Sequence, residues 1–133
     1  MGVFSTQSLA ILSNADIRLQ ILFKEVVKTF DCTVICSYRD QEAQTRAFMG
    51  GNSSVDWPDS KHNTKPSKAV DVAPYYPGGI RWTDNEGMYY FAGYVKATAE
   101  RMGIKIRGGA DWDMDCDVQD QKLHDPNHFE VVD

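Results

Sequence analysis

The stretch AVDVA, residues 69–73, places one carboxylate, Asp71, inside a short apolar run that stops at Pro74. The alternation and the β-branched residues predict a strand. An unpaired carboxylate buried in such a strand would be very costly, so Asp71 needs a positively charged partner. A metal ion is one such partner, and a nearby arginine or lysine is the other. The residue alone leaves both alternatives open.

The segments on either side of this strand predict an α+β domain. Apolar residues at three- and four-residue steps, capping residues and β-branched runs define the elements. Helices are expected over about residues 14–30, 40–48 and 83–102, and strands at about residues 32–36, 69–73, 105–107 and 129–132. Asn14 and Thr83 are the predicted N-caps of the first and third helices. A long polar loop, residues 50–67, precedes the Asp71 strand. We therefore expect a small antiparallel sheet packed against two or three helices.

Length and composition limit the class of protein. The chain has 133 residues, and 14 lysines and arginines against 19 aspartates and glutamates give a net charge of −5. This balance disfavours nucleic-acid binding, which needs clustered positive charge. No apolar run approaches the ~20 residues that span a bilayer, and the N-terminus lacks the basic start of an export signal. We expect one domain over residues 1–133 that neither inserts into a membrane nor binds nucleic acid.

The chain has three histidines, and two of them lie close together near the C-terminus, in the run HDPNHFE at residues 124–130. As a string, this run imitates a zinc helix in which His124 and His128 are joint ligands. That mechanism requires a helix, and Pro126 together with the β-branched residues that follow favours a strand instead. The helical interpretation therefore fails on local structure.

The alternative interpretation groups His128 with His62 and Asp71. Two histidines and one carboxylate, with an open fourth position, are the ligand stoichiometry of catalytic zinc. Asp125 would then stand beside the metal as a general base that takes a proton from water as the water attacks a carbonyl.

Five segments together resemble a known family. They are SKH at residues 60–62, AVD at 69–71 and DPNHFE at 125–130, with CSYRDQEAQ at 36–44 and GGADW at 108–112. In this order they are similar to the zinc D-alanyl-D-alanine carboxypeptidase and L-alanyl-D-glutamate peptidase family, whose fold the Hedgehog signalling domain shares. The resemblance is strongest to the phage branch, the L-alanyl-D-glutamate endopeptidases that act as endolysins.

The resemblance implies a role for individual residues. His62, Asp71 and His128 would be the metal ligands, and Asp125 would be the general base. Arg39 would hold the scissile carbonyl as negative charge develops, or pair with a substrate carboxylate. Ser60, Gln44 and Trp112 would orient a ligand or contact substrate.

The resemblance also implies an activity and a place of action. We expect one catalytic Zn²⁺ ion and hydrolysis of the L-alanyl–D-glutamyl bond in the bacterial stem peptide, with lysis of the host cell. A monomer without a separate wall-binding domain would collect in the host cytoplasm and reach the wall after the membrane is permeabilised. A D-alanyl-D-alanine carboxypeptidase and a zinc-bearing binding module without catalysis are the alternatives.

An acidic run, Asp111 to Asp117, alternates carboxylates with other residues. It is similar to the start of a calcium loop, but Cys116 stands in place of the required glycine and Lys122 in place of the closing glutamate. A solvated acidic loop is the main expectation, and a weak Ca²⁺ site is the alternative.

Overall fold

A computed structural model of the chain describes residues 2–133. Four strands form one antiparallel sheet in the order β1-β2-β4-β3. The strands are β1 (Cys32–Cys36), β2 (Ala69–Pro74), β3 (Ile106–Gly109) and β4 (Asp125–Val131). The strand that carries Asp71 is therefore internal, and β4 is its internal neighbour.

The helices are α1 (Thr6–Leu12), α2 (Ile17–Val26), α3 (Gln41–Met49) and α4 (Asn85–Arg101). The predicted α+β class and antiparallel sheet are confirmed, but the expected two or three helices were too few. The helix that was missed, α1, is short, and its N-cap is Ser5, which accepts a hydrogen bond from the backbone N–H of Ser8.

Two predicted helix starts were displaced by neighbouring aspartates. Asp16, not Asn14, caps α2, because its carboxylate accepts from the backbone and the side chain of Arg18. Asp84, not Thr83, caps α4 by accepting from the N–H of Gly87 at 3.0 Å. In both cases an aspartate close to the predicted cap residue satisfies a free N–H at the helix start.

The sheet separates the hydrophobic core from a polar face. In β2, Val70 and Val72 lie in the core, and in β4 Phe129 and Val131 do the same. Helices α2 and α4 cover this side, where the Phe23 ring meets the Phe129 ring edge-on at 5.3 Å. Because side chains alternate along a strand, the intervening residues face the other side of the sheet. That side carries the candidate site.

No helix within residues 2–133 combines the length and apolar character that crossing a membrane requires.

Phe23→Ala should lower the free energy of unfolding by about 3–5 kcal/mol, because it leaves a cavity against Phe129. Ile21→Ala, in the same helix at a position 50% exposed, should cost less than about 1 kcal/mol. Urea denaturation followed by circular dichroism measures both. Equal losses for the two variants would show that α2 does not pack as described.

Candidate functional site

Three residues form a row across the sheet. Asp71 of β2 pairs with Cys36 of β1 on one side and with His128 of β4 on the other. Directly paired residues of antiparallel strands point to the same face, so the three side chains converge. A register irregularity between Val34 and Cys36 adjusts the β1 end of the row.

His62 reaches the same point from the long loop. It lies in a single 3₁₀ turn, Lys61–Asn63, whose N-cap is Ser60. The Ser60 hydroxyl accepts from the His62 N–H at 3.2 Å, and the Asn63 side-chain oxygen accepts from the Ser60 N–H at 3.0 Å. This reciprocal capping holds a histidine that is only 2% exposed. Ser60 thus positions His62 through the backbone.

The histidine nitrogens meet at one oxygen of Asp71. His62 Nε2 lies 3.5 Å from Asp71 Oδ1, and His128 Nδ1 lies 3.6 Å from the same oxygen. His62 Nε2 and Asp71 Oδ1 are buried without a hydrogen-bond partner among residues 2–133. Bonds of 2.0–2.2 Å to a tetrahedral zinc ion would separate ligand atoms by about 3.3–3.6 Å. The two distances and the two unpartnered atoms therefore fit a zinc ion.

The outer nitrogens of both histidines have acceptors as partners. His62 Nδ1 lies 2.6 Å from the carbonyl oxygen of Ser37, and His128 Nε2 lies 2.8 Å from Glu130 Oε1. A carbonyl or carboxylate oxygen can only accept, so each outer nitrogen donates its proton. The inner nitrogens then present lone pairs toward Asp71, the arrangement that metal-binding histidines use.

The electrostatics of the cluster favour added positive charge. Burial opposes charging of His62, but the nearby Asp71 carboxylate and Cys36 thiol together outweigh burial and raise the pKa of His62 to about 10. The pKa of His128 is raised in the same way, against its burial, by Asp71 and Glu130. The pKa of Asp71 is lowered, because the two nearby histidines together outweigh its burial. A cation held by these atoms would satisfy the same field.

Asp125 opens β4 beside this cluster. One oxygen of Asp125 belongs to a set of possible ligand atoms, with Asp71 and His128, that all lie within 4.8 Å of one another. Burial, and then the charge of Asp71, raises the pKa of Asp125. Gly109 pairs with Asp125, and a Cβ at Gly109 would lie 1.9 Å from the Asp125 carbonyl oxygen. Only glycine allows this approach of the two strands.

A second set of ligand atoms within 4.8 Å of one another adds Cys36 to His62 and Asp71. The Cys36 sulfur lies 3.9 Å from His62 Nδ1, on the side of the ring that faces Ser37. His62 and His128 thus belong to two different sets that share Asp71, and the set of His62 includes the Cys36 thiol, which the sequence did not predict as a ligand.

Arg39 and Gln44 support the cluster from the β1 side. Arg39 Nη2 lies 3.6 Å from Asp71 Oδ2, and Arg39 Nη1 donates to Gln44 Oε1 at 3.0 Å. Gln44 is fully buried and donates to Ser53 Oγ and to the Val55 carbonyl. Asn63 donates to the same Gln44 oxygen, at 3.1 Å. Gln44 therefore links Arg39, the 3₁₀ turn that carries His62 and the long loop through hydrogen bonds. Its side chain has no solvent exposure through which it could contact substrate.

Trp112 lies on the opposite side of the cluster. Its ring centre is 5.2 Å from the ring centre of His128, and its indole N–H donates to the Leu123 carbonyl. Arg107 lies over the Trp112 ring, with its guanidinium carbon 5.5 Å from the ring centre. Trp112 thus packs beside a proposed ligand.

Glu130 and Asn63 are site residues that sequence reasoning missed. Glu130 accepts from His128 through one oxygen and from Arg107 through the other. The signal was present, because Glu130 follows His128 by two positions in a strand and so shares its face. The signal for Asn63 was weaker, since its role depends on a turn inside an irregular loop.

The acidic run folds back on itself. Carboxylate oxygens of Asp111, Asp113, Asp115 and Asp120 lie within 4.8 Å of one another. Asp117 is not part of this set, and its carboxylate accepts from the N–H of Gln119 at 2.9 Å. The grouping could hold a cation, but its members differ from the predicted Asp111–Asp117 run.

The cluster of His62, Asp71, Asp125 and His128 lines one open cleft with a cavity volume of about 590 Å³. The long loop, residues 51–55, forms one wall, and Leu123 and His124 form part of the other. His124 itself accepts from or donates to the Tyr89 hydroxyl at 2.8 Å and stands apart from the histidine pair. The cleft therefore offers a metal-type donor set, a neighbouring carboxylate and an arginine, the groups that hydrolysis of an amide needs.

Comparison with known proteins shows the family to which the chain belongs. The sequence model of the family described as Phage L-alanyl-D-glutamate peptidase matches residues 1–132. The chain belongs to this phage L-alanyl-D-glutamate peptidase family. It is 32% identical over 107 residues to the L-alanyl-D-glutamate peptidase of Escherichia phage T5, covering 77% of each chain.

A solved structure shares the fold. The crystal structure of the Serratia marcescens L-Ala D-Glu endopeptidase ChiX matches with a TM-score of 0.76 at 22% identity. The match covers 97% of this chain and 89% of that chain.

Gln44→Ala should lower the free energy of unfolding by about 2–3 kcal/mol, because it leaves buried partners of Gln44 unsatisfied. Gln41→Ala, at the exposed start of the same helix, is the matched control and should change it by less than about 0.5 kcal/mol. Urea denaturation measures both. A Gln44→Ala variant as stable as the control would contradict the tying role of Gln44.

Proposed function

We propose that the protein is a zinc-dependent peptidase that hydrolyses the L-alanyl–D-glutamyl bond of the peptidoglycan stem peptide. The observation that supports a bound metal ion is the pair of buried, unpartnered atoms, His62 Nε2 and Asp71 Oδ1. Both histidines also direct their second nitrogen to an acceptor. Membership in the phage peptidase family supports the bond that is cut.

In this proposal His62, Asp71 and His128 hold the ion. Zinc, when bound, supplies Lewis acidity, which lowers the pKa of water toward about 7 and polarises a carbonyl. Ser37 and Glu130 hold the two histidines in the tautomers that leave their inner nitrogens free. The ligand geometry is therefore fixed by a strand pair and by a backbone carbonyl.

Asp125 is the proposed general base. Its burial and the nearby Asp71 charge raise its pKa, which makes its carboxylate a stronger base than a solvated one. Asp125 takes a proton from the attacking water and later passes it to the departing amine. The close approach of Gly109 holds this carboxylate at the start of β4.

Arg39 is proposed to stabilise the negative charge that develops on the scissile carbonyl oxygen. Its guanidinium already lies against Asp71, with Gln44 holding the other terminal nitrogen. A positioned arginine needs little reorganisation as charge develops, which is why such groups accelerate acyl transfer. Ser60 and Trp112 act on the histidines, one from each side.

The proposed biological role is lysis of the host cell, with the protein made in the host cytoplasm and acting on the wall after the membrane is permeabilised. In this proposal the protein acts as a monomer. Weak Ca²⁺ binding by the Asp111–Asp117 run stays a prediction.

The direct test is mass spectrometry of purified peptidoglycan after incubation with the protein, with and without a chelator. We expect chelator-sensitive release of stem peptides that have lost their L-alanine. Asp125→Asn should reduce the rate by about 10²–10⁴-fold, because the proton acceptor is lost. Asp59→Asn, in the same cleft, is the control and should keep most of the activity.

Two outcomes would replace the proposal. Loss of a terminal D-alanine alone would indicate the carboxypeptidase alternative. No cleavage by a sample that contains stoichiometric zinc would indicate a binding module.

Metal content tests the ligand set separately from activity. His128→Ala should lose zinc after dialysis against buffer, and Glu130→Gln should weaken zinc affinity by about 10–100-fold, because His128 loses its charged acceptor. His124→Ala removes the third histidine and should retain the metal. Inductively coupled plasma mass spectrometry measures all three. Full zinc occupancy in His128→Ala would remove that residue from the ligand set.

A further inference from the structure

Three lysine or arginine side chains line the cleft within residues 2–133, and they differ in how many donors remain free. Both terminal nitrogens of Arg39 are engaged, one with Gln44 and one with Asp71. Lys61 is exposed and forms no ion pair with the described residues. Arg107 donates from Nη2 alone, to Glu130 Oε2 at 3.0 Å.

Arg107 is held at the far edge of the sheet from Arg39. Arg39 follows β1 at one edge, and Arg107 belongs to β3 at the other edge, so the two arginines flank the Asp71–His128 pair. The side chain of Arg107 is 41% exposed, and the Trp112 ring lies beside its guanidinium. One ion pair and one aromatic contact thus fix its position and leave part of it open to the cleft.

The free donors of Arg107 call for an acceptor that the described residues do not supply. A guanidinium has five N–H donors in a planar fork, and Arg107 uses one of them. Its Nε–H is buried without a partner among the described residues, and the second oxygen of Glu130 accepts from His128 and not from Arg107. The group that matches such a fork best is a carboxylate.

The proposed substrate carries that group. A glutamate residue whose amine is in the scissile bond continues the chain through one of its two carboxyl groups and keeps the other free. We propose that Arg107 binds this free carboxylate on the leaving-group side of the bond and thereby selects glutamate. This inference rests on the proposed function, and it assigns carboxylate recognition to Arg107 and leaves Arg39 for the carbonyl.

A structural role for Arg107 is the alternative, because the Glu130 carboxylate that pairs with Arg107 also accepts a hydrogen bond from His128. The two roles differ in one measurable property. An arginine that only positions Glu130 would affect every substrate equally. An arginine that binds the substrate carboxylate would affect only substrates that carry one.

The test uses two synthetic peptides with the L-alanyl–D-glutamyl bond that differ only in whether the free carboxyl group is a carboxylate or a carboxamide. We expect the unmodified protein to prefer the acid by about 10–100-fold in kcat/KM, the size of a charge-assisted hydrogen bond. Arg107→Gln should reduce this preference to about onefold, mainly by raising KM for the acid. Arg107→Lys keeps the charge without the fork and should give an intermediate preference.

Lys61→Gln is the matched control, because it removes the same charge from the same cleft and should keep the acid preference. Thermal melting and zinc content of each variant report whether the site is intact. Equal loss of kcat/KM on both peptides in Arg107→Gln would overturn the proposal, and so would an unmodified protein that does not distinguish acid from amide.

Binding separates this inference from the proposed function. Isothermal titration calorimetry of Asp125→Asn with the two peptides measures the preference without turnover, and Asp125→Asn/Arg107→Gln should lose it. If the unmodified protein cleaves neither peptide, the proposed function fails. The calorimetric preference then decides on Arg107 alone, and equal affinity for acid and amide overturns its assignment.

Discussion

The site depends on a carboxylate, that of Asp71, which the fold partly buries. Asp71 lies on an internal strand, between neighbours on both sides, and one of its oxygens has no hydrogen-bond partner among the described residues. Such a charge is tolerated only when positive or donor groups converge on it. His62, His128 and Arg39 do converge, from a loop, from the adjacent strand and from the end of the edge strand. The rest of the cleft is organised around this requirement.

Charge in the cleft is arranged as a sequence of shared carboxylates. Asp71 is shared between the histidines and Arg39, and Glu130 is shared between His128 and Arg107. Each carboxylate therefore holds one imidazole and one guanidinium in a fixed position relative to each other. Rigid placement of this kind is what lowers the reorganisation cost of a polar site.

Much of this arrangement was readable from the sequence, because strand alternation carries strong information. The β2 and β4 segments were predicted from their apolar residues, and that placement put Asp71 on a strand. The second predicted strand, residues 129–132, began one residue after His128, whereas β4 begins at Asp125 and includes the histidine. Helix starts were less accurate, since an aspartate one or two positions away competes as the cap, as Asp16 did with Asn14. Alternation also places Glu130 on the same face as His128, although only the metal ligands, and not their hydrogen-bond acceptors, were predicted.

What the sequence could not supply was contact between irregular segments. The role of Gln44 as a buried tie depends on the Val55 carbonyl and on Asn63, which lie in a loop without periodicity. The pairing of Cys36 with Asp71 depends on a register irregularity that no local sequence pattern predicts. Interactions of this kind follow from the packed chain as a whole, and propensities do not encode them.

The alternation of β4 links the core to the chemistry in a further way. Phe129 and Val131 fill the core, while His128 and Glu130 face the cleft. A slip of one residue in the pairing of this strand would bury both polar side chains in the core and expose the aromatic ring. Mispaired chains would thus be too unstable to persist, and each molecule that completes its core also has its histidine and glutamate in place. Formation of the hydrophobic core therefore also selects the strand register that assembles the cleft.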